Sequence, residues 1–262
     1  MKLVRWISGA MLLLLVFMAG FVSQVPVSYV LTQFGDQIPA ELRVTQPKGT
    51  LWQGQVAMAY QGAGFEQLAE KLGGELSWQL KPSDLVLGAI KQSLPMEMQL
   101  RHGQDQLDLR LVATPAQLRL HIPQGQLDIA RLAAPFAEQQ FLLRGLTGQL
   151  HLRDLMIKMD YNQAWLEDAS GRVIVTDLNL MGAQIEQLNI EALMQEKTIA
   201  LQINAEQDGW QLQGTSRLNP PNQFDNQFEL TTQQPNRFPD WALMTMQQIS
   251  PTQARAEMRG QW

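Results

Sequence analysis

The sequence predicts an all-β chain carried by a single N-terminal transmembrane helix, and three observations support that expectation. One uncharged apolar run lies near the start, period-two alternation recurs through the remainder, and glycines stand repeatedly beside the alternating runs. Alternation with one apolar and one polar side is the signature of an antiparallel sheet with one covered face. Glycines at turns and bulges let such a sheet bend. The expected architecture is a long curved antiparallel sheet, a half-pipe or taco, with a few short helices.

The opening MKLVRWISGAMLLLLVFMAGFVSQVP places Lys2 and Arg5 before a stretch from Trp6 to Val22 that carries no charge, and then reaches Pro26. Roughly 17 to 20 apolar residues suffice to cross about 30 Å of hydrocarbon as a helix. With the basic residues in front, the N-terminus is expected in the cytoplasm and the remainder on the far side of the membrane. A cleaved signal peptide shares this layout. The length of the run and the lack of a small-x-small exit in FVSQVPVSYV favour an uncleaved anchor. No second run of this kind follows, so a single-pass protein is expected, with residues 1–27 as cytoplasmic start and anchor and 28–262 as an exported β-rich domain.

The strands are read from LSWQL (76–80), MEMQL (96–100), LDLRL (107–111), LRLHI (118–122), LHL (150–152), VIVTDLNL (173–180), IALQI (199–203), WQL (210–212) and FEL (228–230), with ARAEMRGQW at the end as a further short strand. Gly49, Gly54, Gly74, Gly125, Gly148 and Gly171 accompany them. Helices are expected at Pro26 to Phe34, at FEQLAEKL (65–72), at Pro82 to Gln92, where Pro suits the first turn, at Ile129 to Gln139, interrupted by Pro135, and at PDWALMTMQQI (239–249).

Composition narrows the function classes. A net charge of −5 with 20 basic residues scattered along the chain supplies no phosphate-binding surface, so nucleic acid is not an expected partner. With no Cys there is no disulfide or thiolate site, and His102, His121 and His151 stand too far apart in the sequence to form a metal-ligand motif. No G-x-S-x-G elbow surrounds a serine, and Ser77 and Ser93 lie in strand and helix-end contexts. The acidic neighbours Asp105 and Asp108, and Glu167 and Asp168, are read as turn formers rather than a catalytic dyad. No phosphate-cradling glycine loop follows a strand. No catalytic residue, cofactor or metal is expected, and the chain reads as a binding or scaffolding protein.

Two segments are more distinctive. Gly49 to Gly54 reads GTLWQG, and Trp78, Leu80, Pro82, Leu85 and Gly88 fill a W-x-L-x-P-x-x-L-x-x-G pattern. Gly49, Trp52, Gly54, Trp78, Pro82 and Gly88 are read as a structural motif. Gly49 and Gly54 would bracket the first exported strand, and Trp52 and Trp78 would turn their rings to the covered face as a cross-strand pair that pins the sheet near the membrane.

The basic start, the single apolar run, these two segments and the Leu-rich strands after them resemble the type II secretion system protein N family of Gram-negative bacteria. The resemblance implies an inner-membrane accessory or assembly component of the general secretion pathway. Its domain would be periplasmic, it would contact other type II secretion proteins, and it would support export of folded proteins across the outer membrane. The same glycine-led pattern also resembles AsmA-like proteins, half-pipes that carry lipid. On that reading Leu107, Leu109, Leu111, Leu118 and Leu120 would line an apolar groove. Ten to fourteen strands about 4.8 Å apart reach only about 50 to 65 Å, too short to span a periplasm alone.

Overall fold

Among the described residues, fourteen strands pair edge to edge in a single antiparallel sheet. They are β1 (Leu42–Gly49), β2 (Gln53–Tyr60), β3 (Gly74–Gln79), β4 (Leu94–His102), β5 (Asp105–Ala113), β6 (Gln117–Asp128), β7 (Thr147–Asp160), β8 (Leu166–Leu180), β9 (Ala183–Gln195), β10 (Thr198–Gln207), β11 (Trp210–Asn219), β12 (Gln223–Thr232), β13 (Gln247–Ser250) and β14 (Gln253–Gln261). Sequence order is spatial order until the end, where β14 inserts between β12 and β13. The sheet is therefore an open meander with β1 and β13 at its edges. At about 4.8 Å per strand it measures about 62 Å across. The computed structural model describes residues 24–35, 38, 42–60, 73–81, 93–134, 145–161, 166–180, 183–220 and 222–261.

Each segment read from alternation falls in a strand, from LSWQL in β3 to ARAEM in β14. The expected helix after Pro26 is α1 (Val27–Phe34), and Ile129 opens α2 (Ile129–Ala133), whose first turn is capped by Asp128 accepting from the Ala130 amide. The helix expected from Pro239 is α3 (Asp240–Thr245) and stops there: Gln247 to Ile249 belong to β13. The apolar run from Trp6 to Val22, the helices expected at 65–72 and 82–92, and residues 135–139 lie outside the described residues. Among the described residues no helix is long and apolar enough to cross a membrane.

Register places the apolar residues in one row across the sheet. Val56 faces Leu76, then Leu100, Leu107, Gly125, Leu152, Val173, Ile190, Ile203, Gly214, Phe228 and Ala256. The adjacent row on the opposite face is polar throughout, from Gln55 and Ser77 through Gln99, Asp108, Gln124 and Arg153 to Gln227 and Glu257. Pairing at fixed register is what converts alternation along each strand into two chemically distinct faces.

The apolar phase is reset where the strands bend. Register shifts occur in β1 beside Gln46 (φ 51°), in β6 near Pro123, and in β7 beside Asp154 (φ 48°). In β8, Asp177 (φ 51°) separates Val175 from Leu178, so the apolar spacing becomes three instead of two. Short acidic and amide side chains tolerate this left-handed backbone better than branched ones.

Two clusters seal the apolar face at the strand ends. Trp210, Leu212, Leu230 and Ala254 pack with Ile185 and Ala205 under Phe238, just before α3, and Ala242 within it. Leu230, Ala242 and Ala254 are fully buried, and Trp241 meets Trp210 edge to face at 5.8 Å between ring centres. The second cluster joins Ile122, Leu127 and Leu152 with Leu132 of α2. Between these clusters much of the apolar row is only half-buried.

Candidate functional site

The segments that stood out in the sequence meet at the first corner of the sheet. Gly49 ends β1 with φ 84°, Thr50 to Trp52 turn the chain, and Gly54 lies at the start of β2. The two glycines thus flank a hairpin loop, where the sequence suggested a strand. The Thr50 amide closes the loop onto the Gln53 carbonyl at 2.9 Å. Trp78, on β3, lies directly opposite Gly54, so its cross-strand partner is a glycine and not Trp52. A methyl group built on Gly54 would collide with the Trp78 ring and with Val27. The missing side chain is the space that the indole occupies.

Hydrogen bonds fasten that ring and loop. The Trp78 indole N–H donates to the Leu51 carbonyl at 2.9 Å, and the Leu80 amide donates to the Trp52 carbonyl at 2.6 Å. Leu51 in turn donates its amide to Val25 at 3.1 Å, Thr50 forms a bridge with Pro26, and Val27 is buried. Two sequence segments and the residues just after the apolar N-terminal run therefore form one clamp. Pro82 and Gly88 of the same motif lie outside the described residues.

The five leucines read as groove-lining are brought together on the apolar face. Leu111 faces Leu120, and Leu107 faces Gly125. Leu107, Leu109 and Leu120 pack against the Ile122, Leu127 and Leu152 cluster, and all five, with Leu111 and Leu118, are half-buried. Phe228 covers Gly214 on the same face, as Trp78 covers Gly54. An aromatic ring laid over a strand glycine fills the gap left by the absent side chain.

The polar face carries an open trough of about 820 Å³ over β2 to β6, lined by Gln55, Ser77, Gln99, Asp108, Arg110 and Gln124 among others. Asp108 is held there by three amide side chains: Gln99 donates at 2.6 Å, Gln124 at 2.8 Å and Gln106 at 3.3 Å. These bonds, Gln124 and Gln99 foremost, outweigh desolvation and keep its carboxyl below the usual carboxylate range. Matched register on three strands thus gathers Gln99, Gln106 and Gln124 around one carboxylate.

The acidic neighbours part company. Asp105 begins β5 and is buried, accepts the Asp128 amide at 2.7 Å and pairs with Arg131 of α2. Glu167 and Asp168 lie inside β8, where a turn was expected, and Glu167 bonds Lys158 at 2.6 Å across to β7. The Asp105–Arg131 bond escaped sequence reasoning because 26 positions of chain separate the partners. His121 faces Met156 and approaches Asp154 at 3.6 Å, while His151 faces Ile174 and meets Thr176 at 3.3 Å. Among the described residues no group of three or more His, Asp or Glu could hold a metal.

The arrangement supplies two faces, two sheet edges and a clamp, which are means of binding. A family model for type II secretion system (T2SS) protein N matches residues 40–249, from just before β1 into β13. No curated protein and no solved structure matches the chain. The match spans most of the sheet and includes both glycine-tryptophan segments of the clamp, and the chain belongs to the type II secretion system protein N family.

Proposed function

We propose that the protein is an accessory or assembly component of the type II secretion pathway, anchored in the inner membrane by residues 1–27, with residues 28–262 in the periplasm. It supports export of folded proteins through contacts with other secretion proteins, without catalysis. The clamp carries this reading: Val25, Pro26 and Val27, just past the apolar run, are bonded to or packed against the hairpin that starts the sheet. A membrane helix joined to a sheet in this way would hold the sheet's first edge near the bilayer. The bulges in β1, β6, β7 and β8 support a curved, half-pipe sheet. Unpaired sheet edges are sites at which other proteins can add strands.

The test combines fractionation with protease protection. The chain should remain with the inner membrane at its full-length mass, and its sheet should be digested only when the outer membrane is opened. Recovery as a shortened soluble protein would overturn the anchor.

The half-buried apolar row favours a second reading, a groove that holds acyl chains. Lipid that co-purifies with the chain and is lost in Leu109→Asp or Leu120→Asp would establish it. A lipid-free wild-type preparation would remove it.

A further inference from the structure

The last strand has an unfinished edge. β14 pairs with β12 over Gln223 to Thr231, but on its other side β13 covers only Gln253 to Arg255. From Ala256 to Gln261 that side has no strand beside it among the described residues. An open notch of about 540 Å³ lies there, between Gln247 and Ile249 of β13 and Ala256 to Met258 of β14. Met258 lines this notch with 51% of its surface exposed, on the sheet face that Ala256 shares with Phe228, and its register partner on β12 is Asn226.

We propose that this edge pairs with the same edge of a second copy of the chain, joining two sheets through antiparallel β14 strands centred on Met258. Its side-chain order is self-complementary about that residue. In the centred register Met258 meets Met258 of the other copy on the apolar face. Glu257 meets Arg259 on the polar face, and by symmetry Arg259 meets Glu257. The small residues Ala256 and Gly260 complete the ladder. Opposite charges placed directly across a strand pair are favourable and like charges are not, and a two-fold axis makes each contact occur twice. In this register Gln261 of one copy falls opposite Arg255 of the other, where Gln247 already pairs, so the ladder runs from Ala256 to Gly260 and stops at the end of β13. An edge designed only to repel strands would not carry alternating opposite charges about an exposed methionine.

Absence of Cys from the chain makes the test direct. Single cysteines are placed at 256, 257, 258 and 259 of the full chain in its native membrane and oxidised; Gly260 is left unchanged because a Cβ there would meet the Phe224 ring at 2.7 Å. Paired strands hold Cα atoms about 4.5 to 5.5 Å apart, within disulfide reach. Cross-linked dimer should be maximal for Met258→Cys and fall away towards 256. Two differently tagged chains, one Glu257→Cys and one Arg259→Cys, should cross-link to each other more than either does to itself. A maximum at another position, or no dimer at any of them, would overturn the proposal, as would cross-linking only to a different secretion protein. Glu257, Met258 and Arg259 are exposed, so the variants that decide the register leave the clamp and core intact. A monomer here would leave the membrane and secretion readings standing, so the two can fail separately.

Discussion

Replacing Gly54 with Ala tests the clamp through one methyl group. The added carbon would overlap the Trp78 ring and stand 2.8 Å from Val27 Cγ2. Since the backbone is fixed by β1 on one side and β3 on the other, the indole has to move. Overpacking of this kind costs about 1–3 kcal/mol, and losing the 2.9 Å indole bond to Leu51 adds about 1 kcal/mol. Ala lowers unfolded-chain entropy and returns about 0.4–1 kcal/mol. The net destabilisation expected is about 1–3.6 kcal/mol. Urea titration of the purified full chain in detergent, followed by circular dichroism, measures it. The decisive comparison is Gly54→Ala in a Trp78→Leu background, where the ring is gone and most of the cost should vanish. An equal cost in both backgrounds, or a stabilised Gly54→Ala protein, would refute the steric argument.

Further outcomes follow from other sites. Arg131→Met leaves the buried Asp105 carboxylate without its cation and should destabilise by about 3–5 kcal/mol, with much of the loss recovered in Asp105→Asn/Arg131→Met, both measured by denaturation. Leu230→Ala should cost about 2–5 kcal/mol and weaken the seal beneath α3, seen as loss of near-ultraviolet signal from Trp210 and Trp241 at lower urea. Asp108 has a depressed carboxyl pKa in the folded state, so its contribution is present above its unfolded value near about 3.9 and fades as pH falls through the folded value. The stability advantage over Asp108→Asn should thus exist at pH 7 and shrink below about pH 4, and an NMR titration should place the carboxyl midpoint under about 3.9.

Most of the sheet was legible because alternation survives wherever one face is apolar. LDLRL and LRLHI gave β5 and β6 with their leucines on the correct common face. β9 was not visible, since Ile185 and Leu188 are three apart. The reason is the left-handed Asp177 in the neighbouring strand, which resets the phase so that Leu178 and Ile185 rejoin the same cluster. β13 falls in a segment expected as helix because Pro239 and Asp240 are helix-start signals. Its pairing depends on β14, a contact absent from local sequence. The clamp was half legible: the two glycine-tryptophan segments were recognisable, but the assignment of Trp78 to the space over Gly54 needed the register of β2 on β3. The buried Asp105–Arg131 pair was hidden for the same reason, as both residues look locally like ordinary turn and surface charges.

The account rests on the chain acting in type II secretion, and a periplasmic retention assay measures that most directly. Cells lacking the chain should accumulate folded secretion substrates in the periplasm, and wild-type protein supplied in trans should restore their release into the medium. Export at the normal rate in cells without the chain would contradict the account.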